Sequence, residues 1–256
     1  MRFPNYALNS NSAEHQSPAG SCVPAPLIGL SPQETELTIL PAANVVDSWL
    51  SDRGTTVATG VSAWVGAASA TSLAQVTAGA QPAFSRADSR LNGRPSITGD
   101  GTNDELVAAL AIPAPGTTAR YYRFVGAQLT YAAAALMGGS AASCQLVYQN
   151  GGTPNLRAFN LANSSLNANA PVGAPRVFEV YFSNSVADFL RIGSVTVTGS
   201  STGNASAATW SIFSGGGAAF SNMMLGNVTI AALPTTQQRA AIDRLDRRRY
   251  GFGVLQ

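Results

Sequence analysis

The chain has 256 residues, 45% of them hydrophobic and only 11% charged, with a formal net charge of +2. That is long enough for one large β-domain or two small ones, and apolar enough to bury a real core. The near-neutral balance gives no reason to expect nucleic acid or an acidic membrane as partner. All fifteen cationic side chains are arginine, a complement suited to bidentate contacts in protein interfaces.

The first residues, Met1 to Tyr6, hold no basic region followed by an apolar core. No apolar run approaches the roughly 20 residues needed to span a bilayer. The chain is therefore expected to be soluble and made in a cytoplasm. Residues 1–44 are rich in Asn, Ser, Pro and Gly, with prolines at 4, 18, 24, 26, 32 and 41. Such a segment predicts an extended arm that needs a surface to lie on, its own body or a neighbouring subunit. Cys22 in the arm and Cys144 in the body read as two reduced thiols or as one disulfide. Two distant cysteines and the lone His15 make no metal-ligand cluster.

From Val45 onward, short strands and turns dominate. Asn92-Gly93 is a hairpin signal because both residues tolerate positive φ, and Gly99-Asp100-Gly101 is a second tight turn. The segments 121–125, 144–148, 156–159, 177–182 and 190–197 are compact β-type runs separated by Gly138-Gly139, Asn150-Gly151-Gly152 and Pro171-Val172-Gly173. The Ala-rich piece from Tyr131 to Met137 fits a helical turn or a small-residue strand. Many short strands without alternating amphipathic helices predict an all-β antiparallel sandwich or barrel. One helix closes the chain at about 235–250. Thr235 and Gln238 offer a capping box, Ala241, Ile242 and Leu245 an apolar stripe, Arg239–Asp243 and Asp243–Arg247 i,i+4 pairs, and Gly251 a stop. Arg247-Arg248-Arg249 complements the negative helix end or forms a basic patch.

These pieces occur in a telling order. Trp49, Trp64, Gln75-Val76-Thr77, Gln81-Pro82, Asn92 to Pro95 and Gly99 to Leu106 are followed at the far end by MLGNVTIAALPTTQQRAAIDRLDRRRYGF. The arrangement resembles a laminin G-like, concanavalin A-like jelly-roll domain of the type found in bacteriophage virion proteins. Gly99 departs from that pattern, which has a Phe before Asp-Gly, so a core aromatic is expected to be missing there. The resemblance implies a jelly-roll β-sandwich over residues 45–256, behind the arm and ending in the helix. It also implies a non-enzymatic structural protein of a tailed-phage virion, a capsid decoration, head-fibre or tail-associated protein assembled in the host cytoplasm. Residues 1–44 would anchor it to other virion proteins, and it would form a homo-oligomer. The alternative is a carbohydrate-binding, lectin-like adhesion module holding a surface glycan.

Catalytic chemistry finds little support. Glycoside hydrolases on this fold resemble one another in an E-x-D-x-E-type strand, and the five glutamates, at 14, 34, 36, 105 and 179, form none. Glu34 and Glu36 have same-face spacing but lie in the arm. Asp104 and Glu105 would point to opposite sides of a strand. A serine hydrolase would ordinarily need a histidine base, and His15 sits in the arm. No cofactor is expected. Asp100, Asn103 and Asp104 supply oxygens of the kind calcium takes, and equally the groups that satisfy turn amides. Trp49, Trp64 and Trp210 read as core or sheet-edge packing. A ring of Trp64 or Trp210 exposed on the concave sheet would be a sugar-stacking platform.

Overall fold

The computed structural model describes residues 35–110, 119–131, 133–139, 145–149, 155–158, 166–183, 188–199, 208–215 and 219–252. The expectations for Cys22, Cys144, His15 and the arm before Thr35 fall outside these residues. In chain order the strands are β1 (Val45–Leu50), β2 (Thr55–Val57), β3 (Val61–Val65), β4 (Ser72–Ala74), β5 (Ala83–Asp88) and β6 (Arg94–Thr98). Then come β7 (Leu106–Ala108), β8 (Arg120–Gln128), β9 (Ala134–Gly139), β10 (Gln145–Gln149), β11 (Asn155–Ala158) and β12 (Leu166–Asn169). The last are β13 (Arg176–Phe182), β14 (Asp188–Ile192), β15 (Val195–Gly199), β16 (Trp210–Ile212) and β17 (Met223–Ala231), before helix α1 (Thr236–Tyr250).

The strands form two antiparallel sheets. One has eight strands in the order β15-β14-β13-β8-β17-β6-β5, with β1 also paired to β17. The other has nine, in the order β12-β11-β10-β9-β16-β7-β4-β3-β2. The chain is a concanavalin A-like jelly-roll β-sandwich with one C-terminal helix among the described residues. That helix is not long and apolar enough to cross a membrane.

Alternation along each strand explains the core. Tyr122, Phe124, Phe178, Val180, Val228 and Ile230 of the first sheet meet Trp64, Leu106, Trp210 and Ile212 of the second in one buried cluster. Phe124 stacks on Phe178 with ring centroids 4.5 Å apart, and Trp49 lies 5.3 Å from Trp210. The indole N–H groups of Trp49 and Trp64 donate to the carbonyls of Thr71 and Leu50, each at 3.0 Å, so burial leaves neither donor unmet.

Helix α1 follows the sequence closely. The Thr235 hydroxyl accepts from the Gln238 amide, the Gln238 side chain accepts from the Thr235 amide, and Gly251 ends the helix at φ 77°. Asp243 pairs with Arg247 at 3.4 Å, while the Arg239 guanidinium lies 5.7 Å from the centre of the Phe189 ring. Within the Ala-rich piece, residues 134–137 form the first part of strand β9. The run 190–197 is two strands, because Gly193 at φ 57° lets Gly193-Ser194 form a two-residue hairpin between Ile192 and Val195. At Asn92-Gly93 both residues have positive φ, and they close a turn that begins with a short 3₁₀ segment, Ser89–Leu91.

Residues ahead of Val45 pack against the sandwich. Thr35, Glu36 and Leu40 are buried, and Leu40 packs with Tyr121, Ala231 and Ile242. Residues 35–44 are therefore the root of the arm, built into the body. With α1, the root covers the outward side of the central strands of the eight-stranded sheet, which explains why β17 is buried along its whole length.

Two buried aspartates organise loops at the start of the sandwich. Asp47 accepts from the amides of Ser48, Ala68, Ser69 and Thr71 at 2.8–3.2 Å and from the Ser69 hydroxyl at 2.6 Å. Gly66 is required beside it, since a Cβ there would fall about 2.1 Å from the carboxylate. Burial pushes the Asp47 carboxyl up, but these donors together hold it below the usual carboxylate value. Asp88 is held below its usual value chiefly by the Arg90 side chain, against burial, with help from the Arg90 amide and the Ser96 hydroxyl. Groups whose native pKa is depressed contribute stability above the unfolded value, about 3.9, and lose it as pH falls through the native one. Urea unfolding should therefore show stability falling below about pH 4. The Asp47→Ala variant should lose about 1–3 kcal/mol at neutral pH because its loop amides are left without an acceptor. It should also show a shallower loss in acid.

Candidate functional site

The outward side of β8, β13 and β17 is covered by α1 and the arm root, whereas the one described α-helix does not cover the outward side of the nine-stranded sheet. At its β12 end, strands β11 and β12 alternate strictly. Leu156, Ala158, Leu166 and Ala168 point into the core. Asn155, Arg157, Asn167 and Asn169 occupy the opposite side, with Asn155 and Arg157 half-buried and Asn167 and Asn169 exposed. The register sets Asn155 opposite Asn169 and Arg157 opposite Asn167. Side chains facing across a pair stand about 5 Å apart, and those two residues along a strand about 7 Å apart. The result is a polar ledge roughly the size of one sugar ring.

Its chemistry is that of paired donors and acceptors. Each carboxamide offers an oxygen acceptor and two N–H donors, and the guanidinium offers five donors in a planar fork. Arg157 Nε is buried and has no hydrogen-bond partner among the described residues. Vicinal hydroxyls or a carboxylate suit such a surface. The sequence analysis misses these four residues. The signal available to it is the Asn-Leu-Arg-Ala and Leu-Asn-Ala-Asn alternation, but only the register brings the two polar rows together.

The residues singled out from the sequence lie elsewhere. Trp64 and Trp210 are not ligand platforms: both are fully buried in the core, and stacking needs an exposed ring face. Asp100 Oδ1 accepts from the amides of Thr102 at 2.7 Å and Asn103 at 3.3 Å, and Asp104 Oδ2 accepts from the Asp100 amide at 3.0 Å. These carboxylates thus satisfy turn amides. Burial, with the nearby Asp100 charge, raises the Asp104 carboxyl above its usual value, against the Asp100 amide. Glu105 turns away to accept the Ser214 hydroxyl at 2.7 Å.

Gly99 has a different meaning from the one the sequence suggests. Phe213 supplies an aromatic at this place from another strand end: it is fully buried and holds φ at 67°. A Cβ on residue 99 would lie 2.8 Å from the Phe213 ring and 2.8 Å from the Ser221 carbonyl oxygen.

The largest buried polar group lies under the arm root and α1. Arg123 of β8 pairs with Glu36 at 2.7 Å, with Glu179 of β13 at 3.5 Å and with Asp246 of α1. Glu179 also binds Arg191 and the Tyr121 hydroxyl, and Asn227 donates to Glu36 at 2.9 Å. All are closed off from solvent except Arg191, which is partly exposed. This cluster holds the fold together and is inaccessible to a substrate.

No family model matches the sequence, and no curated protein matches it. The fold has solved counterparts. A Trypanosoma rangeli sialidase in complex with a difluorinated keto-deoxy-nononic acid is similar at a TM-score of 0.56 and 11% identity, over 81% of this chain and 34% of that one. A GH54 α-L-arabinofuranosidase soaked with 4-nitrophenyl α-L-arabinofuranoside is similar at 0.53 and 11% identity, over 74% and 51%. The binding domain of Paraclostridial Mosquitocidal Protein 1 is similar at 0.53 and 11% identity, over 80% and 53%. The chain thus spans about a third to a half of each of these proteins. Identities this low establish the sandwich and nothing of its use.

Substituting Gly99→Ala should push the new methyl into Phe213 and the Ser221 carbonyl and cost about 1–3 kcal/mol in urea unfolding. A neutral effect would contradict the close packing described for this turn.

Proposed function

We propose that this chain is a non-enzymatic carbohydrate-recognising module that takes a sugar on the Asn155–Arg157–Asn167–Asn169 ledge. The observation that carries this reading is the ledge: four planar, hydrogen-bonding side chains on two paired strands, with a fork nitrogen that has no partner among the described residues. Sugar ligands in the sialidase and arabinofuranosidase structures are compatible with it. The described glutamates support a binding role over hydrolysis, since Glu36 and Glu179 are tied into the buried ion cluster and Glu105 to Ser214. Two free carboxylates flanking a cleft, which glycoside hydrolysis ordinarily uses, are not among them.

A second reading sets the module in a particle. The resemblance to phage virion proteins and the Pro-rich arm favour a structural virion protein anchored through residues 1–34, whose root at Glu36 is fixed in the body. The readings are compatible, because the arm and the ledge are separate segments of the chain.

A glycan array with the purified chain should give binding to a restricted set of sugars. Arg157→Ala and Asn167→Ala should each weaken the best hit about tenfold, or roughly 1.4 kcal/mol, with unfolding unchanged. Absence of binding at millimolar sugar, or full binding by both variants, contradicts the ledge. Deleting residues 1–34 tests the particle reading: incorporation into virions should be lost, and a truncated protein that incorporates fully contradicts an arm anchor.

A further inference from the structure

Three buried carboxylates crowd one buried guanidinium. Glu36, Glu179 and Asp246 all pair with Arg123, and Glu179 also pairs with the partly exposed Arg191. Arg249 lies beside them, bonded at 2.9 Å to Asp52, which also pairs with Arg53 and Arg94. Two carboxylate oxygens in the cluster, Glu36 Oε2 and Asp246 Oδ1, are buried with no hydrogen-bond partner among the described residues. Asp246 Oδ1 in that condition is disfavoured as an anion, and a proton on it relieves the crowding of negative charge around Arg123.

We propose that the cluster retains one proton at neutral pH, carried on Asp246, and that this proton makes the junction of arm root, sheet and helix α1 a pH-sensitive latch. The groups facing Asp246 come from every packed element. Arg123 and Tyr121 approach from β8, Glu36 from the arm root, Glu179 from β13 through Arg123, and Asn227 from β17 through Glu36. Arg249 and Tyr250 lie on α1 itself, with Asp52 beyond Arg249. Burial raises the Asp246 carboxyl first of all, the Glu36 charge adds to it, and Arg123 only partly offsets them, leaving it pushed up to about 7. Tyr121 is pushed well above its usual value by burial and by Glu179, so it stays neutral and donates to Glu179.

The sign follows from the raised value. A carboxyl that binds its proton more tightly in the native state contributes stability in full below its unfolded pKa. It loses that stability as pH rises through the native one. Between about pH 4 and 7 this latch therefore weakens with rising pH, opposite to Asp47 and Asp88. Because Glu36 fixes the arm root, the arm's point of departure is held more tightly in mild acid than in mild alkali.

Carboxyl carbon chemical shifts of the whole chain, followed by NMR across pH 3–9, test this directly. The Asp246 signal should titrate with a midpoint near 7. In the Glu36→Gln variant, which removes one of the three negative charges, the midpoint should fall toward the ordinary value of about 3.9. Asp246→Asn, which mimics the neutral form, should abolish the part of the decline in stability between about pH 4 and 7 that this carboxyl contributes in the wild type. An Asp246 signal titrating near 4 in the wild type overturns the proposal, as does an unchanged midpoint in Glu36→Gln. If one variant fails to fold, the wild-type titration still decides.

Discussion

The structure depends on the burial of one guanidinium. Arg123 lies in the run Tyr-Tyr-Arg-Phe-Val at the centre of the eight-stranded sheet, where its outward neighbours on the same strand are Tyr121 and Val125. A charge closed off there must be met by opposite charge, since stripping it of water unpaired would cost several kcal/mol. Glu179 arrives from the adjacent strand, Glu36 from the arm root and Asp246 from the helix. Apolar clusters flank the charges on both sides. Leu40, Tyr121, Ala231 and Ile242 lie on one, and Leu91, Val125, Met224, Tyr250 and Phe252 on the other. Replacing such an ionic group with apolar side chains often leaves stability unchanged or improved. Its service here is specificity: it fixes where the arm root and α1 must lie.

That constraint also decides which surface is left for function. The central strands of the eight-stranded sheet, β8, β13 and β17, are closed on their outward side by the arm root and the helix, so their polar residues serve the interior. The nine-stranded sheet has no comparable cover from the one described α-helix. Its β11–β12 end carries the polar side chains of Asn155, Arg157, Asn167 and Asn169 on its outward side. A sandwich of this kind is a scaffold hosting many activities, and the argument for function rests on that ledge alone.

Local signals made much of the fold readable from the sequence. The Thr235–Gln238 capping box, the Gly251 stop, the positive-φ pair Asn92-Gly93 and the apolar strand runs depend on neighbouring residues, and they appear where the sequence places them. The ion cluster was not readable from local pattern, because its members lie 87 and 123 positions from Arg123 and resemble solvated charges in an arm and on a helix surface. A signal did exist: single charges at Arg123 and Glu179 inside otherwise apolar strands demand partners. Gly99 misled for a related reason. A glycine in place of an aromatic reads as a gap, whereas Phe213, more than a hundred residues later, needs that space. The ledge stayed hidden because it is made by register, and register between two short polar-alternating strands is not written in either one.

Hydrogen exchange of the Arg123→Met variant tests most directly whether one buried guanidinium joins the arm root and the helix to the sheet. The account predicts that amides of residues 36–40 and of α1 lose protection together, while β8, β13 and β17 retain theirs. Loss in only one of the two covering elements, or unchanged protection in both, would contradict it.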